Sequence, residues 1–494
     1  MAPISWDKIK AATRKPVGPV KRKDLDNLGF NVMTLEFSVP LDHNKSGPKD
    51  PKLQISAELV YTPKYAASNC EAEYQARFSD NPKGSITEIL VYLCGGPGDG
   101  NKPARIPGLN QFAKDCGLDI LYPNYRGCEN SGSDITANTP TEPLTATYLA
   151  HFRQDAIVAD LEAIRKCLNN VKFILIGQSF GGWIATTYLS FCPGGLEGVY
   201  LTAGLPPVGQ TPESVYKALY ARLCNKNKNY YNTYPGDREK IIEIVKALAR
   251  SEGGKGLKLP DETGKVEQWL TARGFLTMGR RLGGPDGPKE VHDWVQSFFS
   301  EFKETGKISR STVDKFVEND ASTFRLPDRP LYGVLHEAIY IAGPDVASNW
   351  AAQEVVRKDR SSHFEWLQKG FNFLTDITPD MELYFSGEMI HPFMLDDAGE
   401  KLERFKEVAR ELAQKKDWPH LYDENALRVN KVPVKAMIFD DDIFVDPELS
   451  RQTVKKIGEC VVIRPKEGMT HGSIKKDTKE VLELLFGRVQ GQMS

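Results

Sequence analysis

Val171-Lys172-Phe173-Ile174-Leu175-Ile176-Gly177-Gln178-Ser179-Phe180-Gly181-Gly182-Trp183-Ile184-Ala185-Thr186-Thr187 is the stretch that decides the fold. An apolar, β-branched run meets Gly177-Gln178-Ser179-Phe180-Gly181, and a helix-compatible run follows until Pro193-Gly194-Gly195. The pattern reads as strand, tight turn and helix, with a serine at the apex of a G-x-S-x-G turn. Glycines at 177 and 181 let the backbone turn sharply and let strand and helix approach each other. The Ser179 hydroxyl then projects above the strand. The N–H of Phe180 faces the same space at the positive end of a helix, where an oxyanion can be held.

Working outward, residues 89–94, 118–122 and 197–203 read as short buried strands, and a helical pattern over 146–169 puts Leu149, Phe152, Ala156, Ala159 and Ala163 on one face. Residues 32–41 and 53–62 alternate loosely, as antiparallel strands do. Strands alternating with helices predict a mostly parallel sheet with right-handed crossovers. The rhythm breaks after Gly204-Leu205-Pro206-Pro207. From 209 to 395 the chain is helix-rich, charged and aromatic, and strands return at 433–439 and 460–464, before a final helix over 475–487. The reading is one α/β core, residues 1–208 and 396–494, interrupted by a helical cap at 209–395.

Composition bounds the function. The chain has 494 residues, 40% hydrophobic and 26% charged, with formal net charge −2. That balance predicts no nucleic-acid partner, and the basic run Arg14–Lys23 reads as a solvated segment. No apolar run reaches bilayer length, and Met1–Asp7 lacks the apolar core of a signal peptide, so neither membrane nor export is expected. The 8 cysteines are scattered, without C-x-x-C pairs or Cys/His clusters. Reduced thiols in the cytoplasm are the expectation, with no metal and no organic cofactor. Oligomeric state is open, and a homo-oligomer is compatible.

A serine nucleophile needs a base, and the base needs an orienting acid. In α/β-hydrolases the order along the chain is Ser, acid, His. His471, in Gly468-Met469-Thr470-His471, follows the last strand and is the only histidine after His420, which makes it the candidate base. Asp440, Asp441 and Asp442 follow the 433–439 strand, and the pattern alone does not choose among them. A second oxyanion donor should come from a glycine-rich loop after an early strand. Cys94-Gly95-Gly96-Pro97-Gly98 supplies one, with Gly96 as donor.

Here the sequence resembles a known family. Cys94-Gly95-Gly96-Pro97-Gly98 resembles the H-G-G-P-G motif of proline iminopeptidases, and Asn124 to Gly132 resembles their D-Q-R-G-x-G-x-S segment. Gly177 to Gly182 resembles their G-x-S-x-G-G turn. Asp441-Asp442-Ile443-Phe444-Val445 is similar to the D-D-M-Y-V segment of the larger fungal and bacterial members, which selects Asp442 as the acid, with Asp440 as fallback. Leu335-His336-Glu337-Ala338-Ile339-Tyr340 is similar to their L-H-E-x-I-Y, and Ser386-Gly387-Glu388-Met389 to their S/T-G-E-M.

The resemblance implies an α/β-hydrolase fold and a serine exopeptidase that releases an N-terminal residue, preferentially proline. It implies that cap glutamates, Glu337 and Glu388, hold the free amino group of the substrate. Gly95 would sit against the substrate, with Tyr340, Phe393 and Trp183 as candidate linings of a proline pocket. Cys94 and Asn124-Tyr125 depart from the family's His and Asp-Gln, and a thiol near the site would make activity sensitive to bulky thiol reagents. The rival readings are an ester or amide hydrolase of a non-peptide small molecule using the same triad, and a catalytically silent binding protein. Epoxide hydrolysis is disfavoured, because it needs an aspartate where Ser179 stands.

Overall fold

The computed structural model describes residues 2–16, 18–20, 29–62, 69–79, 86–136, 138–139, 144–260, 266–319, 326, 329–359 and 363–487. Ten of the strands among these residues form one sheet. In chain order these are β1 (Thr13–Arg14), β2 (Gly18–Val20), β3 (Asn31–Pro40), β4 (Lys52–Tyr61), β5 (Glu88–Leu93), β6 (Ile120–Pro123), β7 (Lys172–Gln178) and β8 (Leu196–Thr202), with β9 (Leu257–Pro260) and β10 (Val266–Leu270) forming a separate hairpin before β11 (Val434–Met437) and β12 (Cys460–Ile463). The large sheet runs β1-β3-β4-β6-β5-β7-β8-β11-β12, with β2 on β3. The β3–β4 hairpin is antiparallel from Asn31↔Tyr61 to Pro40↔Lys52, and β6, β5, β7, β8, β11 and β12 are parallel.

Burial follows the sequence pattern. Five of the six residues of β5 and six of the seven of β7 are buried, as expected of parallel strands covered on both faces by helices. The helix expected over 146–169 is divided. One turn at Ala146–Leu149 and a 3₁₀ turn precede a helix at Gln154–Cys167. Arg153 stands between them in an extended conformation. Its fully buried guanidinium grips Asp155 and reaches the carbonyls of Ile341 and Pro419, so the break ties the core to residues far along the chain.

Between β8 and β11 the chain is mainly helical. Long helices at Pro212–Thr233, Asp237–Arg250 and Gly287–Thr305 are followed by shorter ones at Pro330–Leu335 and Ala351–Lys358. The helical layer runs on past residue 395. The helix Glu403–Gln414 packs on Pro330–Leu335, and Asn349 N–H donates to the Ala413 carbonyl. The β9–β10 hairpin is a feature the helix-rich reading did not contain. Its two short strands are flanked by glycine and lysine, and the turn at 261–265 lies outside the described residues.

Part of the basic run Arg14–Lys23 (residues 17 and 21–23) is also outside them. Arg14 is not solvated as the sequence suggested: it bonds both oxygens of Glu71 and lies over the Tyr74 ring. All eight cysteines are free thiols. Among the described residues no helix is long and apolar enough to cross a membrane.

Candidate active site

Ser179 ends β7 and starts the helix Phe180–Phe191 with φ +54° and ψ −127°, a conformation that L-residues rarely adopt. Its N–H donates to Thr202 O on the neighbouring strand (3.2 Å), and its carbonyl accepts from Gly182 N–H (2.8 Å). The two elements meet without space for a methyl group: a Cβ on Gly181 would lie 2.0 Å from the Leu93 carbonyl oxygen. That approach sets the start of the helix against the end of β5. As the first helical residue, Phe180 has an N–H with no intrahelical partner.

The loop after β5 closes on the same point. A Cβ on Gly95 would lie 3.2 Å from Ser179 Cβ and 3.6 Å from its Oγ. Two departures from the family motif hold this loop in place. Asn124 Oδ1 accepts from Asn101 N–H (2.8 Å), and Tyr125 OH donates to the Cys94 carbonyl (3.1 Å).

The three aspartates separate cleanly. Asp440 and Asp441 have side chains 81% and 82% exposed and pair with Arg451 and Lys226. Asp442 is 2% exposed. Its Oδ1 accepts the N–H groups of Phe444 (2.7 Å) and Val445 (3.1 Å), and its Oδ2 lies 2.8 Å from His471 Nδ1. With Nδ1 held by the acid, Nε2 is the nitrogen left for a nucleophile. The Phe444 ring packs against the imidazole, centroids 4.6 Å apart. No hydrogen bond joins Ser179 and His471 among the described residues. Such contacts commonly tighten only once substrate is bound.

The cap supplies the opposite wall. Glu388 is 15% exposed. Its Oε1 accepts from Tyr332 OH (2.5 Å) and Arg280 Nη2 (3.0 Å). Burial opposes ionisation, but the Arg280 guanidinium and the Tyr332 hydroxyl outweigh it and hold this carboxyl below its ordinary value. Glu388 is therefore favoured as an anion. His336 behind it is fully buried, which pushes its imidazole down to about 4 and keeps it neutral. Trp183, Tyr340 and Phe444 line one small apolar cavity that joins the Ser179 helix, the cap and the acid loop. The Trp183 and Tyr340 rings meet edge to face at 5.2 Å.

Glu337 is buried. Its two oxygens accept the N–H groups of Ala351 and Ala352 (3.1 Å each) and so cap the helix Ala351–Lys358. Burial raises its carboxyl to about 7 against those hydrogen bonds. Phe393 lines an open groove on the cap with Arg273 and Trp269, and no triad residue lines that groove. Cys94 is buried, its thiol donates to Asp99 O (3.7 Å), and burial pushes it up to about 12. It is a protonated, inert thiol rather than the reactive group the sequence allowed. Arg280 and Tyr332 were missed, because neither belongs to a motif. The signal available was only that their neighbours, Glu388 and His336, sit in one.

Residues 88–241 match the alpha/beta hydrolase fold family. A proline iminopeptidase of Aeromonas sobria is 31% identical over 403 residues, 80% of this chain and 86% of that protein. Proline iminopeptidase aneH of Aspergillus aculeatus is 28% identical over 461 residues, 91% of this chain and 92% of that protein. Among solved structures, a proline iminopeptidase of Mycobacterium smegmatis aligns over 92% of this chain and 97% of its own, at 12% identity and TM-score 0.38.

Proposed function

The chain belongs to the proline iminopeptidase family of serine aminopeptidases, and from that premise we propose that it releases an N-terminal residue, preferentially proline, through an acyl-enzyme on Ser179. The observation that carries this reading is Glu388. A carboxylate held in its ionised form and oriented by a tyrosine and an arginine offers a substrate ammonium its counter-charge.

Ser179 Oγ attacks the carbonyl of the first residue while His471 Nε2 takes its proton. Asp442 keeps Nδ1–H directed at itself and stabilises the imidazolium. The oxyanion faces the N–H groups of Phe180 and Gly96, each contributing on the order of 3 kcal/mol. His471 then returns the proton to the departing nitrogen, the C–N bond breaks, and water repeats the sequence to free the acid and Ser179.

Comparing a proline arylamide with a short-chain aryl ester tests this reading. Glu388→Gln should lower kcat/KM for the arylamide by about a hundredfold, the worth of a charge-assisted contact, and spare the ester. Equal losses on both substrates, or preferential turnover of the ester by the unaltered enzyme, would favour a hydrolase of non-peptide substrates. Failure of a fluorophosphonate to label Ser179 would favour a silent binding protein.

A further inference from the structure

The turn that carries Gly96 lies between two parts of the protein. On the core side, a Cβ on Gly95 would lie 3.2 Å from Ser179 Cβ. On the cap side, a Cβ on Gly98 would lie 3.0 Å from Tyr332 N and 3.3 Å from Leu331 Cβ. Between these contacts the chain folds back on itself. A Cβ on Gly96, whose φ is +144°, would lie 3.2 Å from Asp99 N and 3.6 Å from Asp99 Cβ. Asp99 therefore backs directly onto the residue proposed as the second oxyanion donor. The core ties this turn at its ends: Tyr125 OH donates to the Cys94 carbonyl (3.1 Å), the Cys94 thiol to Asp99 O (3.7 Å) and Arg105 Nη1 to Gly100 O (2.9 Å). None of the described residues makes a hydrogen bond to the backbone of residues 95–98. The aim of those N–H groups is thus set by what packs around the turn.

One of the groups around it is charged. Arg329 Nη1 donates to Asp99 Oδ1 from the cap to the core, and neither side chain is fully exposed. Glu129, which also feels the Arg329 charge, is held by Lys102 (2.9 Å). Arg329 stands immediately before the cap helix Pro330–Leu335, and its carbonyl accepts the Tyr332 N–H (2.9 Å). The segment 329–332 thus meets the oxyanion turn twice, once through a charge on Asp99 and once through backbone packing on Gly98. We propose that Arg329 is a positioning residue for the oxyanion hole: by holding Asp99 it fixes Gly96 against Ser179, so that the cap completes a part of the catalytic machinery that the core alone does not hold. The magnitudes favour a kinetic role over a structural one. A partly exposed ion pair adds little to global stability, whereas misplacing a catalytic group by about 1 Å can cost about a hundredfold in rate.

This inference rests on acyl-enzyme chemistry at Ser179, and the test separates the two. The measurement is kcat and KM for a proline arylamide and for a short-chain aryl ester, on the unaltered enzyme, Arg329→Gln, Arg329→Lys, Asp99→Ala and the double variant Arg329→Gln/Asp99→Ala. Both reactions pass through an oxyanion, but only the arylamide presents an ammonium. Arg329→Gln should therefore lower kcat by about tenfold on both substrates, part of the roughly 10²–10³-fold that one oxyanion donor supplies, with KM little changed. Asp99→Ala should match it, the double variant should lose no more than either single one, and Arg329→Lys should recover part of the rate. Lys102→Gln, which breaks the neighbouring ion pair with Glu129, should leave both rates unchanged. A loss confined to the arylamide would mean that Arg329 acts through Tyr332 and Glu388, and would overturn the inference. So would an unchanged kcat in Arg329→Gln, additive losses in the double variant, or an equal loss in Lys102→Gln. Each of these leaves the acyl-enzyme reading standing, whereas turnover of neither substrate by the unaltered enzyme would remove both. If Arg329→Gln fails to fold, Arg329→Lys and Asp99→Ala decide.

Discussion

The turn that carries Ser179 and the cap wall that faces it are built by opposite means. Around the serine, backbone packs on backbone, Gly181 against Leu93 O and Gly182 against Gly204 O, while Gly95 lies against the Ser179 side chain. Across the cleft, side chains from distant places hold one another, with Arg280 and Tyr332 converging on Glu388. The first arrangement leaves no space for a Cβ at Gly181 or Gly182. The second is built from single side chains, and on the proposed reading it selects what enters. A scaffold that keeps its reaction while relatives change substrates needs this division.

Breaking the core side should give the largest effect. Asp442→Asn should lower kcat by about 10⁴-fold, because the imidazole loses its tautomer and orientation. Asp440→Asn and Asp441→Asn, whose carboxylates face solvent, should stay near wild type in the same steady-state assay. Comparable losses at all three would mean that the acid loop is not read by burial.

The two cap glutamates sharpen the contrast. Glu337 has a folded-state value of about 7 against an ordinary 4.5, so its protonated form is favoured in the native protein. Its contribution to stability is complete below about pH 4.5 and is lost as pH rises through about 7, a change of about 3 kcal/mol at 1.36 kcal/mol per unit. Urea unfolding at pH 5 and pH 8 should show that loss in the wild type and not in Glu337→Gln. An identical pH difference in both proteins would show that Glu337 does not titrate in this range.

Smaller effects belong to the supports. Tyr332→Phe removes one of the two donors to Glu388 and should reduce kcat/KM for free-amine substrates by about tenfold, with ester turnover unchanged. A bulky maleimide should leave activity intact, and mass spectrometry should find Cys94 unlabelled. Inactivation that tracks modification of Cys94 would contradict its burial.

This division also explains what the sequence could reveal. Glycine spacing around Ser179 is a local property, so the strand, the turn and the helix were legible in one short stretch. His471 was legible by elimination. Asp442 was not separable from its neighbours by pattern, because the difference lies in which carboxylate is buried under Phe444 and Val445 N–H. The role of Arg280 lay beyond sequence reasoning altogether, since its partner Glu388 stands far along the chain and only folding brings them together. Glu337 adds something its motif does not show. Its motif is intact, and each of its oxygens also accepts an N–H group at a helix N-terminus. The β9–β10 hairpin escaped because two short strands beside glycines carry too little period to register.

The cap is inserted between β8 and β11, and those strands are neighbours in the sheet, with Val199 opposite Val434. A ribosome therefore makes the nucleophile early and must finish the whole insertion before the acid and base emerge. Until then the nascent chain holds a serine with nothing to activate it and a half-sheet with an open edge. Long-range pairing of this kind is slow and exposes apolar surface while it waits. The order of synthesis thus keeps Ser179 apart from Asp442 and His471 until the whole insertion has been made.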